Sequence, residues 1–254
     1  MLKEQRISII LDELKRKGFV SMEDVARQAR TSLSTVRRDM EELEARNALA
    51  RVRGGAVRQK IATSYELPYM ERQDLFSEEK KRIAKAAHDM VNVNETLFLD
   101  SGTTVNEFAK LLHDIDSLYV ATNDLQTATD LSVYDNVELM VLGGKVRKKH
   151  YSINGYFAES MVGQIHADKA FIGADAIDFK IGFMNFSTED VHIKQMMMEA
   201  SQQVIVLCDH SKFNRIAFVN ICTFRDVDLL ITGKEASPDS LQMLDKQRVK
   251  YLVV

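Results

Sequence analysis

Two cysteines, two prolines and eleven glycines in 254 residues leave little room for several classes of protein. Cys208 and Cys222 show no CxxC spacing and each lies in or beside an apolar run. They are expected as buried thiols of a reducing cytoplasm, not as a disulfide frame or a zinc site. So few prolines and glycines exclude low-complexity sequence and long disorder. No apolar run approaches the roughly 18 residues of a membrane helix, and Met1-Leu2-Lys3-Glu4-Gln5-Arg6 mixes charges, unlike a secretory leader. The six histidines, His88, His113, His150, His166, His192 and His210, have no paired ligand spacing, so no metal is expected, and the lack of a long apolar run means no membrane partner is expected either. No GxGxxG follows the first strand of the body, which argues against a dinucleotide cofactor.

What is present is a core-forming composition, 45% hydrophobic and 28% charged, enough for two domains. Charge is divided unevenly. Residues 1 to 60 hold 14 Lys+Arg against 9 Asp+Glu, although the whole chain carries −3. A basic head on an acidic body is the footprint of a protein whose head alone meets a polyanion.

Within that head, Leu33, Val36, Met40 and Leu43 recur at helical spacing and predict one buried stripe. Ser34, Thr35 and Arg38, with Arg37 on the flank, then fall on the opposite face, in the first turns after a Ser32 cap. Two arginines alone fit a solvated face. Upstream, however, Ser21 caps a short helix to about Ala29, and Arg30-Thr31 makes a tight turn, completing a helix-turn-helix. Downstream, Asn47 is placed to end the helix, and Leu49 to Arg53 followed by Gly54-Gly55 predicts a two-stranded wing with Arg51 and Arg53 near its tip. Hydroxyls and arginines at a helix start suit base edges and phosphates. The expected DNA-binding residues are Ser21, Ser34, Thr35, Arg37, Arg38, Arg51 and Arg53.

The run Ser34-Thr35-Val36-Arg37-Arg38-Asp39, then Leu43-Glu44, Leu49-Ala50-Arg51 and Arg53-Gly54-Gly55-Ala56, resembles the N-terminal domain of the DeoR family of bacterial transcription regulators. Asn47 stands where that family usually has glycine, and Arg53 where it often has histidine.

A first helix over 3–17 ends at Gly18, and the winged domain spans 1–57. Residues 58–76 read as a linker whose Leu67, Tyr69, Met70 and Phe76 are apolar enough to dock, with another subunit as one candidate surface. From Ser77 the pattern alternates. Seven short apolar runs, at 96–99, 118–120, 139–142, 170–172, 204–207, 229–231 and 251–254, are separated in several places by helices, notably 104–113, 124–131 and 189–200. This predicts, for 77–254, an α/β domain with a mainly parallel, Rossmann-like sheet covered on both faces, whose ligand lies beyond the strands' carboxyl ends.

Those ends are Asp100-Ser101-Gly102-Thr103-Thr104, Thr122-Asn123, Gly143-Gly144-Lys145, Gly173-Ala174-Asp175 and Asp209-His210-Ser211-Lys212. The first has the glycine, hydroxyls and helix start that cradle a phosphate, although helix capping alone explains such residues equally well. Lys212 can neutralise an anion, while Asp175 and Glu189 can accept sugar hydroxyls. The expected effector residues are Asp100, Ser101, Gly102, Thr103, Thr104, Asn123, Gly143, Lys145, Asp175, Glu189 and Lys212. Of the basic run after Gly144, Lys145 and Arg147 either reach the effector or are solvated, and Lys148 and Lys149 are read as solvated. Met196, Met197 and Met198 are read as packing.

This body is similar to the DeoR effector domain, which in turn looks like ribose-5-phosphate isomerase. The resemblance implies a phosphorylated sugar as effector and a homo-oligomer on double-stranded operator DNA. An isomerase would need a carboxylate base, for which Glu189 is the candidate. Yet the acid-rich signature expected of that enzyme reads Ile172-Gly173-Ala174-Asp175-Ala176 here, with its first acid replaced. The expectation is therefore a regulator without catalytic residues, modulated by a sugar phosphate, with a sugar-phosphate isomerase carrying a DNA-binding domain as the alternative.

Overall fold

The computed structural model describes all residues except 46, 47, 58–62, 64 and 65, and of the remaining side chains all except those of 15, 45, 50 and 57. The chain divides into two compact units, Met1–Ala62 and Thr63–Val254. The expected helix end at Asn47 and the first part of the expected linker lie outside the described residues.

The first unit contains α1 (Lys3–Lys17), β1 (Phe19–Ser21), α2 (Met22–Ala29), α3 (Leu33–Ala45), β2 (Ala50–Val52) and β3 (Gly55–Val57). Gly18 closes α1 in the left-handed region, returning its N–H to the Leu14 carbonyl. Ser21 caps α2 by accepting from the Glu23 N–H at 3.2 Å. Ile10, Leu14, Val25, Val36, Met40, Leu43 and Leu49 close one core.

Two expectations change. Leu33, read as the start of the buried stripe, is 48% exposed, because it opens α3 beyond the reach of that core. The expected wing hairpin, β2 with β3, is present but gains a third strand: β3 pairs with β2 on one side and with β1 on the other, both antiparallel. Gly55 permits this. A Cβ there would lie 2.1 Å from the Val20 carbonyl oxygen, so only glycine lets β1 approach.

The second unit opens with α4 (Tyr69–Gln73) and α5 (Ser77–His88), then runs β4 (Thr96–Leu99), α6 (Thr103–Ala109), β5 (Leu118–Thr122), α7 (Leu125–Leu131), β6 (Val137–Val141), β7 (Lys145–Val146), β8 (Ile153–Asn154) and α8 (Tyr156–Val162). It continues with β9 (Ala167–Ile172), β10 (Ala176–Asp178), β11 (Gly182–Asn185), α9 (Val191–Glu199), β12 (Ser201–Leu207), β13 (Val219–Cys222), β14 (Leu229–Thr232), α10 (Pro238–Gln247) and β15 (Tyr251–Val253). The seven apolar runs of the sequence are the seven strands of one sheet, ordered β15-β14-β12-β9-β4-β5-β6, with every pairing parallel. Two apolar clusters sandwich it, one around Phe98, Ile172 and Val206, the other around Leu97, Leu99 and Phe108. The small antiparallel sheets β10-β11-β13 and β7-β8 were not expected, since strands that short carry too few residues to show a period.

Residues 66–76 of the expected linker are folded within this unit. Tyr69 is fully buried, donates its N–H to the Lys149 carbonyl at 2.9 Å and meets Tyr151 edge-on at 5.3 Å. Met70 and Phe76 are exposed. Both cysteines are free, Cys208 buried and Cys222 half-buried, and burial pushes each thiol up to about 12.

Candidate functional sites

At the start of α3, Ser32 Oγ accepts from the Thr35 N–H at 3.3 Å and gathers the hydroxyls of Ser34 and Thr35 at 2.8 and 2.9 Å. Arg37 and Arg38 follow, exposed and with no ion pair among the described residues. Asp39 turns the other way. It is buried and takes Arg6 on both oxygens, at 2.7 and 3.1 Å, fastening α3 to α1. Arg53 is exposed at the wing's tip beside Gly54, which turns with φ +86°.

Arg51, expected among the DNA-binding residues, is held by acids of α3. Its Nε reaches Glu44 and its Nη1 reaches Glu41, each at 2.7 Å, and its N–H donates to Glu44 at 3.0 Å. The acids on the exposed face of α3 thus hold the wing. Ser21 serves as the α2 cap. Together Met22, Arg37, Arg51, Val52, Arg53, Gly54 and Gly55 line a groove of about 410 Å³.

In the second unit the strand ends form a connected polar cluster. Asp100, directly after β4, is fully buried; its Oδ2 accepts from the Gly173 N–H at 2.9 Å and pairs with Lys194 of α9. Lys194 also donates to the Gly173 carbonyl at 3.1 Å. Burial works to lower the Lys194 pKa, and the adjacent Asp100 carboxylate more than offsets it. Asp100 Oδ1 is buried without a partner.

The loop Ser101-Gly102-Thr103-Thr104 opens α6. Its Gly102 N–H donates to Asp124 Oδ2 at 3.2 Å, while Asp124 Oδ1 accepts from Gln126 and Thr127 N–H groups at 2.7 and 3.0 Å, capping α7. Burial pushes Asp124 up to about 6. Asn123 donates to the Ile153 carbonyl at 3.3 Å and leaves its buried Oδ1 unpaired. Asp175 is buried, accepting from the Phe186 N–H at 3.1 Å and facing Arg72 at 3.4 Å. Burial raises its pKa, against the pull of Arg72 and Lys212. Lys212 lies in the turn after β12, half-buried, and its charge also lowers the pKa of Asp209 against burial.

Three expected residues lie apart from that cluster's interior. Gly143 is exposed, its N–H directed at Met161 Sδ. Lys145 is exposed and 3.6 Å from Glu189, which is itself 49% exposed. Lys145 and Glu189 line a shallow depression of about 420 Å³ with Val146, Arg147, Lys148 and His150. The buried acid of this stretch is the neighbour, Asp190, which accepts from Ser152 at 2.7 Å and Asn154 at 2.6 Å and pairs with Arg147. Asp190 is the residue just before α9, one turn ahead of Lys194, and both are buried, whereas Glu189 lies one residue further out and is exposed; no helical period marks that difference in the sequence.

Reading the sequence also missed Glu66 and Arg72. Glu66 Oε1 lies 2.8 Å from Arg72 and 3.2 Å from His150, and Oε2 lies 2.9 Å from Arg147. Burial works to raise its pKa, yet these three groups hold it at about 2. No local pattern announces the pairing of Glu66 with Arg147, 81 residues away. Glu79, Asp209 and His210 bring ligand-type atoms within 4.8 Å of one another. There His210 already donates its N–H to Glu79 at 2.7 Å and sets Nδ1 2.6 Å from it, a clasp between α5 and the end of β12.

Against known proteins, the DeoR-like helix-turn-helix domain matches residues 6–62 and the DeoR C terminal sensor domain matches residues 75–234. The HTH-type transcriptional repressor GlcR of Bacillus subtilis is 35% identical over 100% of this chain and 97% of its own. The glycerol-3-phosphate regulon repressor of Escherichia coli K12 is 30% identical over 98% of each, and a putative aga operon transcriptional repressor of E. coli O157:H7 is 31% identical over 98% and 93%. Among solved structures, ribose 5-phosphate isomerase A from Methanocaldococcus jannaschii covers 54% of each chain at 16% identity with a TM-score of 0.40, a likeness too remote to bear on activity.

Proposed function

Because the chain belongs to the DeoR family of transcriptional regulators, we propose that it is a repressor of a carbohydrate-metabolism operon whose hold on its operator is relieved by a phosphorylated sugar. The observation that carries the effector half is the hydrogen bond from the Gly102 N–H to Asp124. The loop amide already binds a carboxylate oxygen of the protein's own, the kind of acceptor that a phosphate or hydroxyl oxygen of a sugar phosphate would supply. Lys212 stands beside Asp175 and Asp209 to balance added negative charge.

The DNA half rests on uncommitted cations: Arg37, Arg38 and Arg53 can meet phosphates and base edges without breaking an internal pair. A second copy would be needed to read repeated half-sites, so the working form is a homo-oligomer in the cytoplasm. Among the described residues no helix is long and apolar enough to cross a membrane.

Binding without turnover fits the placement of the acids. The candidate base Glu189 is on the rim, paired with Lys145 and Arg147, and the interior acids Asp100 and Asp190 are held by Lys194 and Arg147. A general base needs free reach to its proton. A thermal-shift panel of pentose, hexose and glycerol phosphates tests the reading. A cognate ligand at a hundred times its Kd stabilises the fold by about 2.7 kcal/mol, and Lys212→Ala should lose that response while keeping effector-free operator binding. No shift with any phosphate would overturn the effector assignment, and conversion of one sugar phosphate into another would restore the enzyme reading.

A further inference from the structure

Beside the strand-end cluster, two arginines and a histidine are held by a carboxylate near the start of the second unit. Glu66 is 7% exposed, and two guanidinium groups and an imidazole surround it. Two arginines presenting planar forks around one small site suit a phosphoryl group, which offers more acceptor oxygens than a carboxylate. Donor capacity is left over: Arg72 Nε is buried without a hydrogen-bond partner.

This cluster is continuous with the strand ends. Arg72 faces Asp175, and Arg147 holds Asp190, which in turn ties Ser152 and Asn154. Asp175 follows Gly173, whose N–H is bound by Asp100 beside the Ser101 loop. The segment is otherwise held by Tyr69 against Tyr151 and by Lys80, buried in α5, which donates to the Arg72 and Gln73 carbonyls.

We propose that Arg72, Arg147 and His150 are an anion subsite of the effector pocket and that Glu66 is its internal occupant, displaced when the effector's phosphoryl group arrives. Displacement frees the chain that leads to the DNA-binding unit, so ligand capture and loss of operator hold become one event. The idea rests on the effector reading above and deepens it. A ligand shifts such an equilibrium only by its preference for the displaced state, so an internal competitor must weaken apparent affinity, and its removal must restore it.

The test uses the full chain, with inorganic phosphate and the sugar-phosphate panel as probes. Glu66→Gln keeps the shape but removes the competing charge. It should bind the responding phosphate about tenfold more tightly, since the competent state no longer has to be selected, and bind operator more weakly without effector. In the wild type, amide exchange of residues 66–73 should speed up on saturation with that ligand, a readout that does not depend on how well the variant folds. Equal or weaker phosphate binding by Glu66→Gln, or unchanged or slower exchange, would overturn the displacement and leave the effector reading standing. A wild type that binds no phosphate probe would overturn both.

Discussion

The two units of this chain use positive charge in opposite ways. In the first, Arg37, Arg38 and Arg53 are exposed and have no ion pair among the described residues; in the second, Arg72, Arg147, Lys80 and Lys194 are buried or nearly so, and each is held by a partner. A long polyanion is met by loose surface cations that exchange counterions for phosphates. A small anion must instead be told apart from water and from the protein's own acids, and that takes fixed donors in a desolvated place. The contrast predicts where substitutions will be felt as lost folding and where as lost binding.

The largest expected effect is in the second unit. Lys194→Ala would strand Asp100, which is fully buried with one oxygen already unpaired, and should destabilise that unit by about 3–5 kcal/mol. Denaturant unfolding followed in the full chain checks it; a loss below 1 kcal/mol would mean that the pair is not a committed one. Acid is the next lever. Glu66 is held at about 2, below its ordinary value, so it adds stability above the ordinary carboxylate range and loses it as pH falls toward 2. That contribution is about 3 kcal/mol at neutral pH, and Glu66→Gln should flatten the acid limb of the stability profile by a similar amount. Asp124, raised to about 6 by burial, has the opposite sign: its contribution is full below about 4 and declines as pH rises through 6. A steeper acid limb in Glu66→Gln than in the wild type would contradict the assignment.

For the first unit the readout changes from folding to binding. Arg38→Ala should leave thermal unfolding unaltered and cost about 1–3 kcal/mol of operator affinity, with relaxed preference at one base position. If instead Arg38→Ala lowers affinity equally for all sequences and reduces the salt slope by about one, it grips a phosphate, and the reading face must be rotated toward Ser34 and Thr35. Unchanged operator affinity would break the comparison on this side.

The same division explains what could be read from the sequence. All seven strands of the parallel sheet were legible, because buried parallel strands are continuous apolar runs bounded by turn residues. The helix-turn-helix was legible from one apolar stripe and its caps. Leu33 misled because a stripe's first member can overhang the core. Glu189 misled because periodicity cannot say which of two adjacent acids faces inward until the helix start is fixed; α9 begins at Val191, and Asp190 is the buried one. Glu66 with Arg147, and Arg72 with Asp175, left no trace: a buried ion pair between distant segments has no spacing rule, and a stretch with one proline and no clear period reads as a linker.

The smallest expected effect tests a paired cation of the first unit's wing, Arg51, which is held by Glu41 and Glu44. Unlike Lys194 it is paired in the open, with all three side chains 37–48% exposed, where an ion pair is worth about 0–1 kcal/mol. Arg51→Ala should therefore shift unfolding by no more than that and should weaken operator binding less than Arg38→Ala does, since its charge is already opposed by two carboxylates. Measured at two salt concentrations, the variant separates two cases. A small loss that shrinks with salt leaves Arg51 as a brace for the wing. A loss as large as that of Arg38→Ala would mean that DNA draws Arg51 away from its glutamates, and the line between free and committed cations would then divide the first unit rather than the two units from each other.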